Sequence, residues 1–61
     1  MAKDFQGVLY DILDEVIVER APVIRGSQAE AEADAKALAA ASGGQYDDSY
    51  CFVLVDNEIA Y

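Results

Sequence analysis

Asp4 to Gly26, DFQGVLYDILDEVIVERAPVIRG, decides the fold, because the same residues fit two patterns. Phe5, Val8, Leu9, Ile12, Leu13, Val16 and Ile17 recur at helical spacing and would line one face of an amphipathic helix. Against a helix stand Gly7, which weakens a helix interior, and the β-branched run Val16-Ile17-Val18. If Asp14-Glu15 reverses the chain, Val8, Tyr10, Ile12, Ile17 and Ala21 share one face of a hairpin. The hairpin is the reading adopted, since an apolar strand near the end of the chain needs a pairing partner. A helical 5–20 is the alternative.

The flanking segments are easier to place. Pro22 cannot donate to a central ladder, so Ala21 to Arg25 should leave the sheet edge and run to a helix. That helix starts at Ser27, which has Glu30 at capping-box spacing, and ends at Gly43-Gly44, which can turn left-handed. Ala31, Ala35, Leu38 and Ala39 form its inner stripe, and Glu32 and Lys36 pair at i,i+4. So slender a stripe suits a close approach to a sheet that supplies the large side chains. Tyr50 to Val55 is a continuous apolar run rich in strand formers. Asp56-Asn57 either turns it into a short Glu58 to Tyr61 edge or belongs to a single bent strand. The expected fold is α+β, a single domain over 1–61 in the order β-β-α-β. One helix packs on a mainly antiparallel three-stranded sheet of spatial order 2-1-3.

Composition narrows the function. At 61 residues the chain is near the lower limit for a single core, and much of its apolar content is alanine. Twelve acids against four bases, with no histidine, give a formal net charge of −8. Such a chain repels nucleic acid and anionic membrane, and its field favours encounter with basic surfaces. The same charge also keeps a small protein in solution. No apolar run reaches the length of a signal peptide or a membrane span, so a soluble, cytoplasmic protein is expected.

Catalysis is not expected. The sequence holds no histidine base, nucleophile elbow, phosphate-binding loop or dinucleotide fingerprint. Asp47-Asp48 is a poor acid/base pair, because adjacent strand residues point to opposite faces and adjacent loop residues are solvated. The calcium-loop pattern is missing, and one cysteine allows neither an internal disulfide nor a cysteine-based zinc site. No cofactor or metal is expected. Cys51, beside Phe52 and far from any basic residue in sequence, reads as a small buried hydrophobe.

The acids remain as candidates. Glu30 and Asp34 lie four apart on the helix with Glu32 adjoining; Asp47 and Asp48 follow it, and Asp56 and Glu58 stand at the far end of the last apolar run. Helix residues four apart are separated by about 6 Å and strand residues two apart by about 6.8 Å, so such carboxylates can form rows. Duplex DNA presents about one negative charge per 1.7 Å of axis, and a groove built to hold phosphates can accept such a row. Tyr46 and Tyr50 flank Asp47-Asp48, where an aromatic ring can stack on arginine. Tyr10 and Tyr50 are read as core residues and Tyr46 as a surface residue.

With these features the chain resembles the very small, strongly acidic proteins of phages and mobile elements that inhibit host DNA-targeting defence, the anti-CRISPR and anti-restriction proteins. Val16 to Gly44, VIVERAPVIRGSQAEAEADAKALAAASGG, is similar to small phage proteins in which a strand runs through a proline into an Ala/Glu helix. The resemblance implies a non-enzymatic DNA mimic, acting in the host cytoplasm on the basic surface of a nucleic-acid-binding protein such as a CRISPR effector. It carries over no site residue; the partner-binding set Glu30, Glu32, Asp34, Tyr46, Asp47, Asp48, Asp56 and Glu58 rests on charge and expected exposure. A monomer is expected rather than a dimer, with no direct contact to nucleic acid or membrane. The alternative is an antitoxin-like or structural interaction module that offers the strand edge of Val53 to Tyr61.

Overall fold

The computed structural model describes residues 3–60, the Ala60 side chain excepted. The elements are β1 (Phe5–Asp11), β2 (Val16–Arg20), α1 (Gln28–Ala41), a 3-10 turn η1 (Asp48–Tyr50), β3 (Cys51–Val55) and β4 (Glu58–Ala60). The hairpin reading of the opening segment holds. The sheet is antiparallel throughout but has four strands rather than three, in the order β2-β1-β3-β4. The added strand follows a tight turn in which Asp56 (φ 51) and Asn57 (φ 68) are both left-handed. That is the pattern of a type I′ hairpin, and Asp and Asn tolerate it without glycine. Of the expected Glu58 to Tyr61 edge, Glu58–Ala60 form the strand and Tyr61 lies outside the described residues.

The first turn is built differently from the Asp14-Glu15 reversal. Asp11 ends β1, and its Oδ1 accepts hydrogen bonds from the Leu13 and Asp14 N–H groups at 2.9 and 3.2 Å. Glu15 then takes φ 54 to re-enter β2. Ile12 therefore sits in the turn, 53% exposed, instead of on the buried face of the hairpin. Within the ladder the register shifts between Leu9 and Tyr10, where Tyr10 pairs with Ile17 and Leu9 with Glu19. The extra residue of this bulge is Val18. It sends Ala21 to the opposite face from Ile17, so Ala21 donates its N–H to the Gly7 carbonyl and is buried on the helix side.

Helix α1 lies on β1 and β3. Its buried stripe is Ala31, Ala35 and Ala39, one residue every four. Leu38, expected in that stripe, is half-buried at its flank beside Pro22 and Val23. The reason is Gly7: a Cβ there would collide with the Ala31 carbonyl oxygen and lie 2.6 Å from the Ala35 nitrogen. Helix backbone and strand backbone are in direct contact, and a larger stripe would hold them apart. Ser27 caps the helix as expected, accepting from the Glu30 N–H and donating its hydroxyl to the Glu30 carboxylate at 2.9 Å. Gly43 and Gly44, both at positive φ, end it.

The face of the sheet away from the helix carries its own apolar cluster. Val8, Tyr10 and Leu54 are almost fully buried there, with Ile17, Phe52 and Ile59 packed around them. Tyr10 meets Phe52 edge to face at 5.4 Å between ring centres. Arg20 spans this face, its guanidinium donating to Gln6 Oε1 at 3.4 Å and to Asn57 Oδ1 at 2.9 Å. After β2 the chain leaves the edge at Pro22 as expected, yet Arg25 returns to exchange both backbone hydrogen bonds with Phe5.

Candidate functional site

The topology sorts the charged residues by end. Asp11, Asp14 and Glu15 lie at the β1–β2 turn. The same end receives Asp47 and Asp48, because η1 precedes Cys51, which pairs with Leu9 near the finish of β1. Three of the four cations are elsewhere: Arg20 pairs with Val8, Arg25 with Phe5, and Lys3 precedes β1. Lys36 is the nearest base: it lies on the flank of α1 that faces η1 and lines the same clefts as Asp47 and Asp48. β1 spans roughly 20 Å at about 3.4 Å per residue, well beyond a Debye length of about 8 Å at physiological salt. A partner at one end therefore feels little of the other. Among the described residues five carboxylates occupy the turn end, which we call the acidic pole, with Lys36 at its border beside Asp47 and Asp48.

The expected helical row does not form a free array. Arg25 Nε donates to Asp34 Oδ2 at 2.7 Å and its Nη2 to Asp34 Oδ1 at 3.1 Å, a two-point fork on one carboxylate. Glu30 lies 3.7 Å from the same guanidinium and is also held by Ser27. Glu32 is on the other flank of α1, beside Cys51 and Phe52. It makes no ion pair with Lys36 and instead accepts from Gln28 Nε2 at 3.4 Å. The helix thus splits its three acids between two sides, and two of them are compensated. These are the only ion pairs among the described residues, which leaves ten of the twelve acids without one.

The remaining candidates separate by position. Asp47 lies in the acidic pole and also shapes the backbone there, since its Oδ1 accepts from the Ser49 hydroxyl and the Ser49 N–H and so caps η1. Those bonds, the hydroxyl first, hold its carboxyl below the usual carboxylate range. Asp48 is exposed beside it. Tyr46, expected at the surface, is half-buried and meets Tyr50 edge to face at 5.0 Å. Tyr50 is likewise half-buried, outside the core that Tyr10 joins. Asp56 and Glu58 are exposed at the opposite end, where Asp56 Oδ1 accepts from the Asp4 N–H at 3.0 Å. Asp11, Asp14 and Glu15 belong to the pole but not to the set chosen from sequence, although the pattern D-x-x-D-E is visible there.

Cys51, the first residue of β3, is half-buried beside α1. Burial, followed by the negative charge of Asp48, pushes its thiol up, away from the thiolate that nucleophilic chemistry requires. Among the described residues no three Asp, Glu or Cys side chains converge as a metal site would require, and no helix is long and apolar enough to cross a membrane. Comparison with protein-family models, with curated proteins and with solved structures finds no match.

The Arg25–Asp34 fork has a pH signature. The hydrogen bond from Arg25 lowers the Asp34 pKa, so its stabilisation is fully present above the ordinary aspartate range and fades as pH falls through the lowered value. Asp34→Asn should therefore be less stable than the parent protein at neutral pH. The difference should shrink steadily in acid, as read from urea midpoints across a pH series. A constant difference at all pH values would show that the amide substitution acts through packing instead.

Proposed function

We propose that this protein is a non-enzymatic inhibitor that presents its acidic pole to the cationic nucleic-acid-binding groove of a host protein, in the manner of DNA-mimicking anti-CRISPR and anti-restriction proteins. The observation that supports this reading is the segregation of charge: Asp11, Asp14, Glu15, Asp47 and Asp48 gather at one end, where Lys36 is the one neighbouring base among the described residues and pairs with none of them. A cationic groove gains long-range attraction from such an end, and the compact scaffold keeps the carboxylates from collapsing onto bases of their own. The contact surface moves from the helix row to the turn and η1.

Strand addition is the second reading, and it too changes place. Val53 and Leu54 are buried, so the described part of the Val53 to Tyr61 edge has few apolar groups left to offer. The opposite edge, β2, exposes Val16 (49%) and Val18 (40%). The bulge at Val18 and the proline after Ala21 interrupt that edge, which are the usual devices against unwanted pairing.

The test uses duplex DNA on beads, loaded with the DNA-binding protein fraction of a bacterial lysate. Added protein should release a bound DNA-binding protein at low salt and release much less at about 0.5 M salt, where the Debye length falls to a few ångströms. Asp14→Lys with Asp48→Lys should abolish release, while Glu58→Lys at the other end should preserve it. Equal loss in both variants, or release insensitive to salt, would defeat the proposal; dependence on Val16 and Val18 alone would establish the second reading.

A further inference from the structure

The acidic pole contains a notch of about 260 Å³ between the β1–β2 turn and η1, lined by Asp11, Ile12, Leu13, Ser49 and Tyr50. Two of its walls are apolar and unusually open: Leu13 is 91% exposed and Ile12 53%. Turn tips are normally polar, because an apolar side chain there gains nothing from folding. The Asp11 Oδ1 hydrogen bonds fix the turn backbone from which these two side chains project. Only Oδ1 of Asp11 is engaged; its second carboxylate oxygen has no hydrogen-bond partner among the described residues.

We propose that this notch is the socket for an arginine side chain of a basic protein partner. It combines an aromatic ring at Tyr50, aliphatic walls at Ile12 and Leu13, and a half-buried carboxylate at Asp11. An arginine meets all three at once: its methylene stem covers apolar surface, its flat guanidinium stacks on a ring, and its N–H fork donates to a carboxylate. A lysine ammonium, more strongly hydrated and without a plane, fits less of this. Asp14 and Glu15 follow Leu13 in the turn and Asp47 and Asp48 precede Ser49, so four further carboxylates belong to the two segments that form the notch and favour a cation there. The inference rests on the acidic-pole reading for the sign of the partner's charge, and adds the residue type and the place where it seats.

The experiment is an NMR titration of the ¹⁵N-labelled protein with N-acetyl-arginine amide and, separately, N-acetyl-lysine amide at matched ionic strength. Arginine amide should shift the Asp11 to Leu13, Ser49 and Tyr50 signals first and bind several-fold more tightly than lysine amide. Asp11→Asn keeps the oxygen that caps the turn and removes the charge; it should weaken arginine binding about threefold, as expected for a half-exposed ion pair. Leu13→Ser should weaken it as well, with stability unchanged. Shifts centred on the pole but equal for both amides and untouched by either substitution would overturn the socket while sparing the acidic pole. Shifts spread evenly over Glu32, Asp56 and Glu58 would overturn both.

Discussion

Gly7→Ala is expected to leave most of the protein unfolded in water at room temperature. A domain of this length has a total stability of roughly 3–9 kcal/mol. The added methyl group would meet the Ala31 carbonyl and the Ala35 nitrogen, both of them helix backbone with no rotamer to yield. Overpacking a core costs about 1–3 kcal/mol when side chains can adjust, and more when they cannot. Here α1 must lift from β1 and give up the burial of Ala31, Ala35 and Ala39 together. Circular dichroism in a urea series should show the transition moved to near zero denaturant. Gly26→Ala is the matched control, since nothing lies within 4 Å of a Cβ at that position. A Gly7→Ala protein with the parent midpoint would mean that helix and strand are not in backbone contact.

Leu54→Ala is expected to cost about 2–5 kcal/mol, the usual range for a fully buried leucine. Leu54 is 1% exposed on the sheet face away from the helix, where it packs with Val8 and Tyr10. An amphipathic sheet with a single covered face would leave this position wet and the substitution nearly silent. The curl of the sheet and the reach of Arg20 to Asn57 make it a second small core. Leu13→Ala, at 91% exposure, should change stability by less than about 0.5 kcal/mol. The contrast between two leucines in one protein, read from urea midpoints, separates this two-faced packing from a single layer. Similar costs at both sites would refute it.

Local chemistry is legible in the sequence, and long-range geometry is not. Ser27 with Glu30, and Gly43 with Gly44, mark both ends of α1 because a cap is a contact between near neighbours. The hairpin is legible from the β-branched run and from the need to pair the last apolar strand. Its register is not: a bulge at Val18 is set by how β1 fits both its neighbours, and it moves Ala21 to the other face. β4 is ambiguous in sequence because its turn is made by Asp and Asn in left-handed conformations instead of the more diagnostic glycine. Gly7 reads as a weakness in a helix, whereas its role is to admit a helix on top of it.

The candidate site divides along the same line. Charge and spacing identify Asp47 and Asp48, but nothing local reveals that Arg25 folds back on Asp34, nine residues away, or that Glu32 lies on the opposite flank. Asp14 and Glu15 read as turn residues, and turn residues they are. Only the antiparallel return of β3 brings η1 beside them and makes one surface of two separate acidic stretches.

The most direct measurement of that surface needs no partner. Paramagnetic relaxation of amide and side-chain protons by a cationic and an anionic nitroxide of equal size reports the local potential residue by residue. The most negative potentials are expected at Asp11 to Glu15 and Asp47 to Ser49, with weaker ones around Arg25, Glu30 and Asp34. A potential spread evenly over the molecule, or strongest along the helix, would contradict the acidic pole.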